Sequence, residues 1–162
     1  MTGISVATVA RIGTTLGCRM FKHVAGGTGA VKVTDASYTY YIPAANAAGI
    51  RVGVVATAIT TGFTLLEIVA CSDLSGSDLV VVKDKVIALD AVQKQDFLEV
   101  LNDEIKAAEV SAGKDLPYVT ARLTAGNASD ACAVVFMQSP MRFAGQDLIL
   151  TGLPVLATNY TV

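Results

Sequence analysis

Hydrophobic and polar positions alternate with a period of two residues along much of the middle of the chain. In the clearest case, Ile50, Val52, Val54, Ala56 and Ala58 fall on one side of an extended segment. This alternation is typical of a strand with one face in a protein core. Similar apolar runs cover residues 31–42, 63–71, 79–82, 118–124 and 131–138, separated by turn-forming residues.

Short strands at fairly regular spacing, without helical segments between them, predict an all-β protein. The chain also contains 21 valines, 9 isoleucines and 16 threonines, the β-branched residues that pack well on a pleated sheet. We therefore predict an antiparallel β-sandwich or jelly roll. Residues 86–110 fit either one helix or a short helix near 86–96 followed by a strand over 97–105, and the strand-like neighbours favour the second.

The two ends of the chain do not follow the strand pattern. Glycine interrupts residues 1–30 repeatedly, and residues 146–162 form an almost uncharged apolar tail. We predict an extended N-terminal arm at 1–30, a β-sandwich body at 31–145 and a C-terminal arm at 146–162.

Composition adds a reason to expect a partner. The 162 residues are 52% hydrophobic and only 16% charged, and a typical soluble domain is about 25% charged. Part of this apolar surplus lies in the predicted arms, where another subunit could cover it. The first 34 residues contain no acidic side chain, so Arg11, Arg19 and Lys22 suit an acidic surface.

Few residues suit catalysis or metal binding. His23 is the one histidine, so a nucleophilic triad would need it, but its glycine-rich surroundings favour an exposed or interface histidine. Cys71 and Cys132 lie in apolar runs and are expected to be small core residues. No metal-ligand spacing occurs, and residues 73–78 are better explained as a polar loop than as a calcium site.

Glu67 is the best candidate for a functional acid. On an alternating strand it shares a face with Leu65 and Val69, where burial could raise its pKa. The favoured alternative is a carboxylate paired with Arg122, Arg51 or a neighbouring chain. We expect no enzymatic activity, no cofactor and no metal.

Nucleic acid and membrane partners are not expected. The isoelectric point is about 5.2, and only Phe21 accompanies the basic residues near the N-terminus. No stretch reaches the ~20 apolar residues of a membrane-spanning helix.

Three stretches, 63–73 (FTLLEIVACSD), 118–126 (YVTARLTAG) and 131–136 (ACAVVF), lie within a body rich in Ala, Thr, Val and Gly. With apolar arms on both sides, the chain resembles the small capsid decoration, or cement, proteins of tailed bacteriophages. The resemblance lies mainly in residues 50–143 and implies a β-sandwich or jelly-roll fold without enzymatic activity.

The resemblance implies a structural virion protein, made in the host cytoplasm, that binds the outside of an icosahedral capsid and bridges capsomers. The expected partners are the major capsid protein and further copies of the chain, in a homodimer or homotrimer. The predicted interface residues lie in the N-terminal segment and the C-terminal tail: Arg11, Arg19, Phe21, Lys22, Leu148, Leu150, Leu153 and Tyr160.

Three other interpretations remain open. A carbohydrate-binding jelly-roll adhesion module would use the aromatic cluster Tyr38, Tyr40 and Tyr41. A small enzyme would be built around Glu67 or His23. A self-assembling coat or tube subunit would use the same apolar arms to form larger particles.

Overall fold

The structure is a computed structural model that describes residues 17–35, 38–44 and 47–140. The described residues form strands and one helix, in this order: β1 (Gly17–Val24), β2 (Gly29–Lys32), β3 (Thr34–Asp35), β4 (Tyr38–Thr39), β5 (Ile42–Pro43), β6 (Ala47–Ala58), β7 (Phe63–Cys71), β8 (Val80–Leu89), β9 (Gln95–Leu101), α1 (Asn102–Ala112), β10 (Tyr118–Ala125) and β11 (Ala131–Pro140). No helix in these ranges is long and apolar enough to cross a membrane.

The strands form a sandwich of two antiparallel sheets. Sheet A has the strand order β1-β11-β6-β9. Sheet B has the order β2-β10-β7-β8, with β5 also paired to β10, while β3 and β4 form a separate short ribbon. Four of the pairs are nested along the chain: β7 with β8, β6 with β9, β2 with β10 and β1 with β11. This nested pairing is the jelly-roll topology, so the predicted fold class is confirmed.

The core lies between the two sheets and follows the predicted alternation. On β6, Ile50, Val52, Val54 and Ala56 are all buried, as predicted, while Ala58 at the strand end is exposed. Phe136 of β11, Leu66 of β7 and Leu123 of β10 fill the space between the sheets, and each is fully buried. One face of each of these strands therefore supplies the hydrophobic core.

The helix does not lie where we predicted it. Residues 80–89 form strand β8, and the helix begins only at Asn102. Its first turn is stabilised by Glu104, whose side chain accepts a hydrogen bond from the Leu101 amide at 2.7 Å. Gly113 ends it with a left-handed φ of 66°. The near-helical spacing from Leu89 onward arises because a strand end, a turn and a second strand follow each other closely.

Residues 17–24 and 29–32, which we predicted as part of or next to an extended N-terminal arm, form strands β1 and β2. β1 pairs continuously with β11, from Gly17 opposite Gln138 to Val24 opposite Ala131. Phe21 and His23 point inward from β1 while Lys22 points outward, so this segment contributes to the sandwich like the other strands. Residues 1–16 and 141–162, which include the predicted C-terminal arm, lie outside the described residues. The chain enters β1 and leaves β11 at the same end of sheet A.

Candidate interaction surface

The outward side of sheet A, which we call face A, presents exposed apolar side chains on β1 and β9. Met20, Val24 and Phe97 are 71%, 46% and 54% exposed. They share this side with further residues of all four strands: Lys22 of β1, Ala133, Val135 and Met137 of β11, Arg51, Gly53 and Val55 of β6, and Gln95 and Glu99 of β9. Contiguous exposed apolar side chains of this kind mark protein interaction sites.

A depression lies near the middle of face A, at Gly53. Gly53 pairs with Val135 on one side and with Phe97 on the other, so the missing side chain leaves a gap between two apolar ones. The depression has a volume of about 420 Å³, and Val55, Met137 and Gln95 also line it. A Cβ atom at Gly53 would meet only the Cβ of Val135, at 4.0 Å, so the strand itself does not require glycine there.

Phe97 stands beside this depression between two cations. The Arg51 guanidinium lies 5.1 Å from the ring centroid and the Lys85 ammonium 5.3 Å from it. Each cation is paired with an acid: Arg51 Nε donates to Glu99 at 3.0 Å, and Lys85 donates to Asp96. Cation–π contacts at exposed sites contribute roughly 0.5–1 kcal/mol each, so they favour one position of the exposed ring.

Part of the outward side of sheet B, along β7 and β10, is covered by other segments of the chain. Val69, Cys71 and Thr120 point to this side, yet all three are fully buried. Tyr41 and the loop after β7 lie over them: the Tyr41 hydroxyl abuts Gly76, and Lys32 donates to the Ser75 carbonyl at 3.2 Å. Among the described residues, face A has no corresponding cover.

The predicted interface residues lie in different environments in the structure. Lys22 is exposed on face A between Met20 and Val24. Phe21 instead points into the sandwich, where its ring stacks on Tyr40 at 3.8 Å between centroids, so its role is in the core. Arg19 lies in β1, but its side chain is not among those described. Five predicted residues lie outside the described ranges: Arg11, Leu148, Leu150, Leu153 and Tyr160.

His23 is fully buried, and the prediction of an exposed or interface histidine is wrong. Its Nδ1 lies 2.9 Å from the Thr34 carbonyl oxygen and 3.1 Å from the Thr34 amide nitrogen. Burial lowers the pKa of the imidazole, and the hydrogen bond to Thr34 only partly opposes this. Inward alternation on β1 explains its position, and a ring closed off from solvent cannot reach a substrate.

Glu67 forms the structural pair that we favoured. Its two carboxylate oxygens accept hydrogen bonds from Arg122 at 2.6 and 2.9 Å, across directly opposed positions of β7 and β10. The pair raises the pKa of Arg122 through the hydrogen bond to Glu67. Both carboxylate oxygens are therefore engaged within the sheet, with Leu65 and Val69 on the same side as predicted.

The remaining candidates also have structural roles. Asp73 accepts hydrogen bonds from the amides of Ser75 and Gly76, and Asp78 pairs with Lys114 at 2.7 Å, as expected of a polar loop. Cys71 and Cys132 are fully buried as predicted, and burial raises the pKa of their thiols to about 11 and about 12. In the described ranges, no group of three or more His, Cys, Asp or Glu side chains is placed to hold a metal ion.

Asp130 is a buried acid that the sequence analysis missed. Its carboxylate accepts hydrogen bonds from the backbone amides of Thr60, Thr61, Gly62 and Asn127, at 2.6–3.0 Å. Burial would raise the pKa of this carboxyl group, but the four amide hydrogen bonds outweigh burial and lower it. Asp130 therefore fastens the β6–β7 turn to the β10–β11 turn.

Comparisons with known proteins do not add a function. No family model matches the chain, and no curated protein matches it. A solved structure described as "CBM4 structure and function" is similar to the chain with a TM-score of 0.38 and 14% sequence identity, over 82% of this chain and 83% of that one. A likeness at this level carries no functional conclusion.

Proposed function

We propose that the chain is a structural, non-enzymatic virion protein that binds the outside of an icosahedral capsid and stabilises it by bridging capsomers. The observation that carries this proposal is the exposed apolar surface of face A. Burying such a surface against another protein contributes roughly 25 cal/mol per Å². The proposal joins this surface to the role that the bacteriophage resemblance implies.

The part of face A along β1 suits the capsid contact best. Met20 and Val24 supply exposed apolar area, and Lys22 between them supplies a positive charge. The 34 residues at the start of the chain contain no acidic residue, so this edge complements an acidic shell. Because β1 is an edge strand of sheet A, a partner can approach it from the side as well as from above.

The competing functions receive less support. The predicted carbohydrate site at the tyrosine cluster is not supported, because Tyr40 and Tyr41 are only 1% and 2% exposed. An enzyme built on His23 or Glu67 would need those groups to face a substrate, and both are engaged within the fold.

Co-sedimentation with shells of the major capsid protein encoded in the same genome tests the proposal. The wild-type chain should pellet with the shells. Met20→Glu should reduce the bound fraction at least tenfold, because it places a buried charge in the contact. Val86→Glu is the matched control: Val86 is 79% exposed on β8 of sheet B, and this variant should bind normally.

Two results would contradict the proposal. In one, the wild-type chain remains in the supernatant at every shell concentration. In the other, Met20→Glu and Val86→Glu bind equally well, which would remove the β1 side of face A from the contact.

A further inference from the structure

We propose that the β6–β9 half of face A is a self-complementary surface that binds a second copy of this chain across a two-fold axis. The inference rests on the proposed virion role, for which the sequence predicts a homodimer or homotrimer, and it identifies the surface that joins two copies. The occupant is argued from shape and from charge, each from described residues.

The central pair of β6 and β9 has a shape that suits a second copy. Gly53 and Phe97 are directly opposed residues of β6 and β9, so a depression and an exposed ring lie side by side at the same height along the strands. A two-fold axis parallel to the strands, between β6 and β9, would place β9 of the partner subunit over β6. Phe97 of the partner subunit would then enter the depression at Gly53, and the reverse contact would form at the same time.

The next outward-facing pair along the same strands carries opposite charges. Arg51 and Glu99 are also directly opposed across β6 and β9. The same axis would therefore place Arg51 over Glu99 of the partner subunit, and Glu99 over Arg51 of the partner subunit. The two ion pairs would form a ring of alternating charges beside the apolar contact. The same two-fold rotation thus places both the apolar and the charged residues against complementary residues of the partner subunit.

The packing geometry of sheets allows this contact. Sheets stack about 10 Å apart and keep their strands within about 30° of each other. If the two sheets are rotated by such an angle, Gly53 and Phe97 still lie over each other because they are at the centre of the contact. The side chains of Arg51 and Glu99 are long enough to reach their partners at that angle. Met20 and Val24 lie at the other edge of sheet A, so they stay free for the capsid contact.

Analytical ultracentrifugation of the full chain and three variants tests the fit of Phe97 into the depression at Gly53. The wild type should be a dimer. Phe97→Ala should raise the dimer dissociation constant by about 30-fold, as expected of a central aromatic anchor. Gly53→Val should also yield monomers by filling the depression, while its circular dichroism stays that of the wild type, because the strand has room for a Cβ there. Val86→Ala, at an exposed valine of sheet B, should leave the dimer unchanged.

A charge exchange tests the axis itself. Arg51→Glu alone should weaken the dimer, because it opposes acid to acid, and Glu99→Arg alone should weaken it by opposing base to base. An equimolar mixture of these two variants should form heterodimers, which native mass spectrometry resolves by mass. Restored pairing in the mixture is specific to an axis that brings position 51 over position 99.

Three results would overturn the inference: a monomeric wild-type chain, a Gly53→Val dimer as stable as the wild type, or a mixture that forms no heterodimer. Shell binding and dimer formation can be contradicted independently of each other. A dimer that ignores capsid shells contradicts shell binding alone, and a monomer that binds shells contradicts this dimer alone.

Discussion

The Asp130 side chain connects two turns that are far apart in sequence. The four amides that it binds come from two turns, and three of them are 68–70 residues away in sequence. Such a partner set could not be predicted from the sequence, where Asp130 is one more turn-forming residue in a polar loop. Cys71, Cys132 and Glu67 could be predicted because their environments follow from the apolar strands around them.

Replacing Asp130 should destabilise the protein strongly. In Asp130→Asn, the amide group offers fewer acceptor positions and turns a donor toward backbone amides, so we expect a loss of about 2–4 kcal/mol in the free energy of unfolding. Urea denaturation measures this loss. Asp84→Asn, at an exposed acid of β8, is the matched control and should change stability by less than about 0.5 kcal/mol. Equal losses in the two variants would contradict the role of Asp130.

The buried His23 should make stability depend on pH. Its folded-state pKa lies below the unfolded value of about 6.5, so below that pH the unfolded chain takes up a proton that the folded chain excludes. The free energy of unfolding should therefore fall as the pH is lowered from about 7.5 toward 5. The slope should not exceed about 1.4 kcal/mol per pH unit, the limit for one proton.

Since the chain has one histidine, a single variant isolates the effect. In His23→Gln, the free energy of unfolding should be lower overall but nearly flat between pH 5 and 7.5. A slope in that variant as steep as that of the wild type would show that another group causes the pH dependence.

Each strand is specified by the local alternation of hydrophobic residues, whereas the pairing of strands into sheets depends on the turns between them. The alternation on β6 predicted which residues are buried, because a period of two leaves little choice once one face is apolar. The helix at Asn102 was misplaced because Leu89 and Phe97 mimic helical spacing from two different strands. β1 was missed because glycines before and after it masked a strand that pairs with a distant partner.

The turn between β6 and β7 illustrates this dependence. Gly62 has a φ of 104°, and a Cβ there would lie 2.4 Å from the Leu89 carbonyl oxygen. Gly62→Ala should therefore lower the free energy of unfolding by more than about 3 kcal/mol, because it combines left-handed strain with a backbone clash. Gly113→Ala is the control, since Gly113 has a φ of 66° and open space at the Cβ position.

Thermal unfolding followed by circular dichroism compares the two glycine variants. Gly113→Ala should lose only the ~1 kcal/mol expected of a left-handed residue with no clash. Similar losses in both variants would mean that the close approach to Leu89 does not matter.

The whole molecule combines sheet B, whose outward side is partly covered by its own chain, with sheet A, whose outward side is exposed over the described residues. Sequence alternation predicted that some strand faces are exposed, but it could not distinguish the exposed Met20 and Phe97 from core residues. Only the sheet order brings them together with Gly53 and Val135 on one surface. We interpret this surface as the site of assembly, with the β1 side toward a capsid and the β6–β9 side toward a second copy.

Size-exclusion chromatography with multi-angle light scattering on the full wild-type chain shows whether two copies assemble as we propose. Across a hundredfold range of concentration, we expect a closed oligomer of twice the 16.7 kDa of one chain, with monomer appearing only at the lowest concentrations. A chain that stays monomeric throughout, or one that grows into large particles as concentration rises, would contradict this expectation.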